Sequence, residues 1–286
     1  MSCVEVLATG PLATVQDLGR PGLAGIGVGP SGAADGGAFR LANRLVGNDE
    51  GAAAIEVTFG GLEVRATRDL TVALTGAPCP ITVDGRGAAA NSVVRVPSGA
   101  VLKLGLPDRG LRSYLAVRGG IDVEPVLGSR ATDVLAGLGP EPLAPGSVLR
   151  VGPAPQQFPR VDQAPVAVCA ADEITLRVAF GPRHDWFTEE ALTALVSSPY
   201  EVTAESNRVG MRLAGPALER SRTDELPSEG MVPGALQVPP SARPTLFLAD
   251  HPVTGGYPVI AVVVAADLDK AAQARPGQRI RFRRGS

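Results

Sequence analysis

The sequence predicts a mainly β protein of two tandem barrel-like domains with a few short helices. Three observations lead there. Gly (35 of 286 residues) and Pro (26) are abundant while aromatics make up 4%, which suits many short strands and tight turns better than a helical bundle. Hydrophobic residues, 44% of the chain, are spread along its whole length, enough for a sizeable core and unlike a disordered composition. Finally, one set of local signals is written twice in the same order.

The strands come first. "VEVLAT", "LTVALTG", "SVVRVP", "VLKLGL", "RSYLAVRG" and "ITLRVAFG" are short, partly alternating and bounded by turn residues. Helices are few. In "SGAADGGAFRLANRLVGN", Ser31 is the expected cap, Ala38, Leu41, Ala42 and Leu45 share one face, and Gly47 ends the helix. In "TEEALTALVSSP", Thr188 caps, Glu189 and Glu190 favour the positive end, and Pro199 terminates. "DLDKAAQARPG" is the third, stopped by Pro276.

The duplication rests on matched order. "VLATGP" and "VAFGP" each end in Gly-Pro, and about thirty residues later each is followed by Arg-Leu-Ala, at Arg40–Ala42 and Arg212–Ala214. Then come "IEVTFGG" and "SEGMVPG", and later "PSGAVLKLG" and "RPGQRIRFR". Repetition of a domain-sized unit explains one order of signals in both halves. The Pro-rich "GPAPQQFPRVDQAP", Gly152–Pro165, reads as the linker, giving domains at 1–155 and 160–286.

Several chemistries are disfavoured. A net charge of −2 gives no basic field for nucleic acid. The longest apolar run falls well short of the roughly 18–20 residues that span a bilayer, and the N-terminus lacks a signal-peptide pattern. Cys3, Cys79 and Cys169 are odd in number and far apart, so no disulfide framework is expected and the cytoplasm is the natural compartment. "GVGPSG", Gly27–Gly32, matches GxGxxG, but Pro30 sits inside it and no buried strand precedes it. Neither Lys103 nor Lys270 follows a glycine, so there is no Walker A loop, and neither has a methionine neighbour, as a biotin carrier would. The histidines and cysteines lack zinc-ligand spacing, and no metal is expected.

Glycine-rich polar loops remain. In "DHPVTGGYP", Gly255 and Gly256 let backbone N–H groups approach an oxygen-rich ligand, Tyr257 offers a flat face and a hydroxyl, and Asp250 either orients His251 or closes a turn. The bland alternative is a β-turn with a solvated histidine. "ESNRVGMRLAG" and "SEGMVPGALQVP" add Arg208, Glu229 and Gln237, and the first half supplies Asp35, Asn43 and Glu56. Glu56, in the alternating "AIEVTF", is equally readable as half of a buried ion pair with an arginine. Convergence of both sets on a cleft is the expectation, and no catalytic residue is assigned.

Taken in order, "TVQDLGRPG", "GVGPSGAADGGAFRLANRLVGN", "AAIEVTFGG", "RSYLAVRGGID", "VLGSRATD", "SNRVGMRLAG", "SEGMVPGALQVP" and "DHPVTGGYPVIAVV" resemble the allophanate hydrolase subunit 2 family, also known as biotin-dependent carboxyltransferase or the 5-oxoprolinase C component. The likeness runs from about Val6 to Phe282. It implies two cyclophilin-like β-barrel domains and a heteromer with a subunit 1 homologue (the B component), with or without a third subunit. Three functions follow from the resemblance. The first is the C component of an ATP-dependent 5-oxoprolinase, a hydrolase that opens a cyclic amide to L-glutamate with ATP as co-substrate of the complex. The second is the carboxyltransferase component of a biotin-dependent urea or amide carboxylase, receiving carboxybiotin from another protein. The third is a non-enzymatic kinase-inhibitor antagonist. The free-standing two-domain length favours the first. At the opening of the last motif the resemblance implies Asp-Arg-Gln-Thr-Thr-Gly-Gly-Tyr-Pro. Asp250, Thr254, Gly255, Gly256, Tyr257 and Pro258 match, whereas His251, Pro252 and Val253 depart, so no family role passes to His251. Asn207 likewise stands where an aspartate is usual.

Overall fold

The computed structural model describes residues 3–159, 161–167, 169–222 and 224–285; the expected domain bounds at residues 1, 160 and 286 lie outside these. The chain divides into two compact units. Unit 1 comprises residues 1–20, 35–133 and 137–169. Unit 2 comprises residues 170–286 together with two excursions from the N-terminal half, residues 21–34 and 134–136.

In unit 1 the described residues form two sheets. One runs in the order Ile121–Asp122, Val148–Val151, Cys3–Thr9, Leu62–Ala66, Val101–Leu104, Ile81–Val83, Arg86–Ala88. The other runs Leu12–Gln16, Ala54–Thr58, Arg112–Val117, Leu70–Gly76, Val93–Val96. Their alternating apolar side chains, among them Val4, Val6, Val64, Leu102, Val72 and Leu115, meet in one core. Arg112–Val117 is buried at every position, because its outer face is covered as well. The cover is helix α1, Gly36–Val46, which packs on Arg112–Val117 and Leu70–Gly76. Phe39 meets Tyr114 edge-on at 6.1 Å.

The start of α1 differs from the sequence expectation. Asp35, not Ser31, is the N-cap, its carboxylate accepting from Ala38 N at 2.9 Å. Ser31 lies outside the helix at φ 50°, and its hydroxyl is used in unit 2. Gly47 ends the helix in the left-handed conformation, as its position predicts.

Unit 2 is a closed barrel in the order Glu173–Phe180, Val259–Val263, Ala235–Gln237, Thr245–Phe247, Gly210–Ala214, Pro199–Val202, Arg279–Arg284, the last lying parallel to the first. Ile174, Leu176 and Val178 alternate inward and pack with Leu213, Leu246, Ile260 and Phe282. Helix α2, Glu189–Ser197, is capped by Thr188, and Pro199 follows its last turn. Helix α3, Leu268–Ala272, is shorter than its sequence pattern and ends four residues before Pro276.

The repeated Arg-Leu-Ala does not mark equivalent places. Arg40–Ala42 lies within α1 and Arg212–Ala214 within a barrel strand. The same tripeptide adopts two conformations because its surroundings bury it differently: Ala42 lies on the buried stripe of a helix, whereas in the strand Leu213 is buried beside an exposed Arg212.

One buried carboxylate ties the barrel together. Asp267 accepts from Arg177 N and Nε, both at 2.8 Å, from Arg177 Nη2 at 3.0 Å and from Lys270 Nζ at 2.7 Å. Hydrogen bonding to Arg177, reinforced by Lys270, holds its pKa far below the ordinary carboxylate range despite burial. A depressed folded-state pKa contributes stability that is complete above the unfolded-state value, near pH 4, and is lost as pH falls below it. Asp267→Asn is therefore expected to lower stability at pH 7 and to flatten the stability–pH curve below about pH 4, as urea titrations from pH 2 to 7 would read. A wild-type-like acid limb in the variant would contradict this.

Candidate functional site

In unit 1 the three proposed polar residues serve the frame. Asp35 caps α1, and its backbone N–H donates to Tyr114 Oη at 2.8 Å. Tyr114 Oη donates in turn to Glu56 Oε2 at 2.8 Å, while Arg112 Nε lies 3.6 Å from Glu56 Oε1. Glu56 thus has the buried arginine partner its strand position allows. Burial first, then the Glu56 and Asp35 charges, push the Tyr114 phenol well above its ordinary range. Asn43 is a buried clamp: Nδ2 donates to Ala52 O at 2.8 Å, and Oδ1 accepts from Asn48.

In unit 2 the candidates form two clusters. The first is a fully buried ion pair. Arg208 donates from Nε and Nη2 to the two oxygens of Asp250 at 2.9 and 2.8 Å, and from Nη2 to Gly32 O at 2.6 Å. Asp250 also accepts from Ser31 Oγ at 2.7 Å and Val134 N at 3.2 Å. Both excursions of the N-terminal half into this unit therefore end on one carboxylate. The GxGxxG match is the first of them: Gly27 and Gly32 take positive φ, and the segment forms a 3-10 turn at Ala24–Ile26 rather than a strand-to-helix phosphate loop. Asn207 closes the adjoining turn, its Oδ1 accepting from Val209 N and Gly210 N.

Asp250 is turned to Arg208, not to His251. The His251 ring is buried, 4% exposed, so the solvated-histidine reading does not hold. Its Nδ1 lies 2.8 Å from Pro252 O, which can only accept, so Nδ1 carries the proton. Nε2 is buried without a hydrogen-bond partner among the described residues.

The second cluster lies at the barrel mouth. Thr254–Gly255 pairs with Glu229–Gly230. Gln237 donates to Tyr257 O at 3.1 Å, and Val238 N to Pro258 O at 3.0 Å. These bonds pin the "TGGYP" loop to the strand Ala235–Gln237. Glu229 is held by Arg183, whose own pKa is raised by that hydrogen bond. Tyr257 is 45% exposed, with the Arg220 guanidinium 5.8 Å from its ring centre. The two glycines differ in their surroundings, and neither takes positive φ. Gly256 is open: an added Cβ would meet nothing nearer than Leu226 O at 3.7 Å. Gly255 is the tight position, where a Cβ would sit 2.5 Å from Gln237 Nε2. The mouth thus offers an exposed aromatic face, an open stretch of backbone and two guanidinium groups. Sequence reasoning misses Arg183 and Arg220, because no glycine-rich motif flags either one.

Among the described residues no group of His, Cys, Asp or Glu is arranged to hold a metal ion, and no helix is long and apolar enough to cross a membrane.

Comparison with known proteins places this architecture. A family model described as "Carboxyltransferase domain, subdomain A and B" matches residues 26–284. The 5-oxoprolinase C component of Escherichia coli (strain K12) is 37% identical, covering 98% of this chain and 90% of the relative. The urea amidolyase of Lachancea kluyveri is 34% identical over 97% of this chain but 17% of its own length. The crystal structure of the K. lactis urea amidolyase superposes with a TM-score of 0.94 at 33% identity, over 99% of this chain and 19% of that one. The chain therefore spans about a fifth of these long relatives and most of the bacterial one. On sequence motifs, family match and near end-to-end similarity together, the chain belongs to the carboxyltransferase-domain family that includes the 5-oxoprolinase C component and the urea amidolyases.

Proposed function

We propose that the chain acts as the C component of an ATP-dependent 5-oxoprolinase, an enzyme complex that hydrolyses the C–N bond of a cyclic amide to give L-glutamate. The observation that carries this reading is the likeness to the E. coli C component, 37% identical over 98% of this chain and 90% of the relative. The barrel mouth supports it. Tyr257 provides a face for a flat amide, and the backbone at Gly255 and Gly256 provides hydrogen-bonding groups at close approach. Gln237 and Glu229 hold that backbone in place. Two waters are consumed: one adds to the ring carbonyl carbon as the C–N bond breaks, the nitrogen staying on the product as its protonated amino group, and the other balances cleavage of ATP to ADP and phosphate. ATP enters as co-substrate of the complex, with a subunit 1 homologue, the B component, as the partner; neither lysine of this sequence lies in a Walker A pattern.

A second reading, the carboxyltransferase step of a biotin-dependent urea or amide carboxylase, draws on the urea amidolyase similarity. The exposed Tyr257 ring and the open Gly256 backbone fit a ureido ring and would hold it. Such a group, carried on another protein, would supply a carboxyl.

Co-expression with the products of the neighbouring genes decides between them. The expected result is a co-purifying heteromer, seen by light scattering, that releases glutamate from 5-oxoproline only with ATP. Turnover of urea plus bicarbonate by a biotinylated complex would favour the second reading. A chain that stays monomeric and ignores its co-expressed partners would overturn the first.

A further inference from the structure

The barrel mouth carries three arginines on neighbouring segments, and they are not alike. Arg183 is paired with Glu229, and Arg222 lies 3.4 Å from Asp185. Arg220 stands between them in the chain and pairs with no carboxylate among the described residues. One Nη2 N–H donates to Val238 O, and its Nε is buried without an acceptor. Its backbone is fixed: residue 220 bridges Phe187, and the adjoining Glu219 O and Ser221 N bond Thr188 N and Trp186 O. The guanidinium is thereby held beside Tyr257 rather than swinging in solvent.

A partly buried guanidinium without a counter-ion is a costly arrangement. Burial pushes Arg220 below its ordinary range, whereas hydrogen bonds to carboxylates raise Arg183 and Arg177. The structure has thus placed an uncompensated positive charge, with donor capacity to spare, next to the exposed ring and open glycine backbone. A planar carboxylate is the ligand group that matches both the charge and the fork of donors.

We propose that Arg220 anchors the carboxylate of the substrate, so that the mouth selects a cyclic amide bearing a carboxylate over a neutral amide such as urea or an unsubstituted lactam. This deepens the oxoprolinase reading and rests on it for the identity of the ring. Arg220 is a binding residue here and touches none of the reacting atoms.

The test compares Arg220→Gln and Arg220→Lys with wild type in the complex with its co-expressed partners, using 5-oxoproline and 2-pyrrolidinone, the same ring without its carboxylate. Arg220→Gln is expected to raise KM for 5-oxoproline about tenfold, with kcat changed far less, and to lower the 5-oxoproline to 2-pyrrolidinone ratio of kcat/KM by a similar factor. Arg220→Lys keeps the charge but loses the fork and should fall between. An unchanged KM, or equal losses on both lactams, would overturn the proposal while leaving the oxoprolinase reading intact. If the wild-type complex does not open 5-oxoproline, that reading fails first. Titration of the isolated chain then decides for Arg220: 5-oxoproline and acetate, but not 2-pyrrolidinone, should shift the Arg220 Nε–H resonance in NMR spectra. The absence of any such shift would also overturn the proposal.

Discussion

Arg208→Met is expected to destabilise unit 2 by about 3–5 kcal/mol, a fall in Tm of about 10–18 °C for a unit of this size. Arg208 is 1% exposed and supplies two of the donors that hold the Asp250 carboxylate. Removing it leaves Asp250 buried with Ser31 Oγ and Val134 N still aimed at it. Those groups partly satisfy its oxygens but cannot neutralise its charge. The effect belongs to the uncompensated charge rather than to the strength of the pair. Arg208→Met combined with Asp250→Leu should accordingly recover most of the stability, giving a coupling energy of opposite sign to the single losses. Urea denaturation of the four proteins at pH 7 measures it. Single variants that melt within a degree or two of wild type would show that the pair contributes little to holding the N-terminal excursions.

Much of the framework is legible in the sequence because local chemistry and tertiary burial agree there. "ITLRVAFG" alternates and lies in the barrel wall with Ile174, Leu176 and Val178 inward. "TEEALTALVSSP" carries its own cap, its acidic first turn and its stop. Legibility fails where distant residues decide. Ser31 and Asp35 are both good capping residues a few positions apart, and the later start goes with distant partners: Asp35 N–H bonds Tyr114 Oη while Ser31 Oγ is taken by Asp250. The two Arg-Leu-Ala segments have opposite environments that three letters cannot specify. At the site, glycine-flanked motifs point to Arg208, Asp250, Gln237 and Tyr257. They do not reveal that Arg208 and Asp250 are one another's partner, since forty residues and a strand pairing lie between them. Arg220 escapes notice for the same reason: what distinguishes it is a missing counter-ion, a property of three-dimensional surroundings. His251 is the converse case, where an eye-catching Asp-His pair dissolves because Asp250 is committed to Arg208.

Tyr257→Ala is expected to lower kcat/KM of the complex on the order of 30- to 300-fold while leaving the fold intact. The ring is 45% exposed and lies outside the barrel's core clusters, so its loss removes little packing. The loop position is set by the backbone, through Gln237 to Tyr257 O and Val238 N to Pro258 O, and truncation of the side chain does not touch those bonds. A flat amide covering roughly 60–80 Å² of the ring gains about 1.5–2 kcal/mol from burial. Face-to-face contact adds about 0.5–1.5 kcal/mol. At about 1.4 kcal/mol per factor of ten, the sum gives the stated range. Tyr257→Phe keeps the face and should retain most of the activity, separating ring from hydroxyl. His251→Ala should behave in the opposite way. The ring is buried, so its removal opens a cavity and lowers Tm, with a modest change in the turnover of the folded fraction. If His251 were instead a general base, its removal would cost about 100-fold or more in rate, and the pH dependence near 6–7 would vanish. Steady-state kinetics from pH 5.5 to 8.5, with a thermal melt of each variant, separate the two. A dead His251→Ala enzyme with a wild-type melt, beside an active Tyr257→Ala, would move the chemistry of this loop from the aromatic face to the histidine.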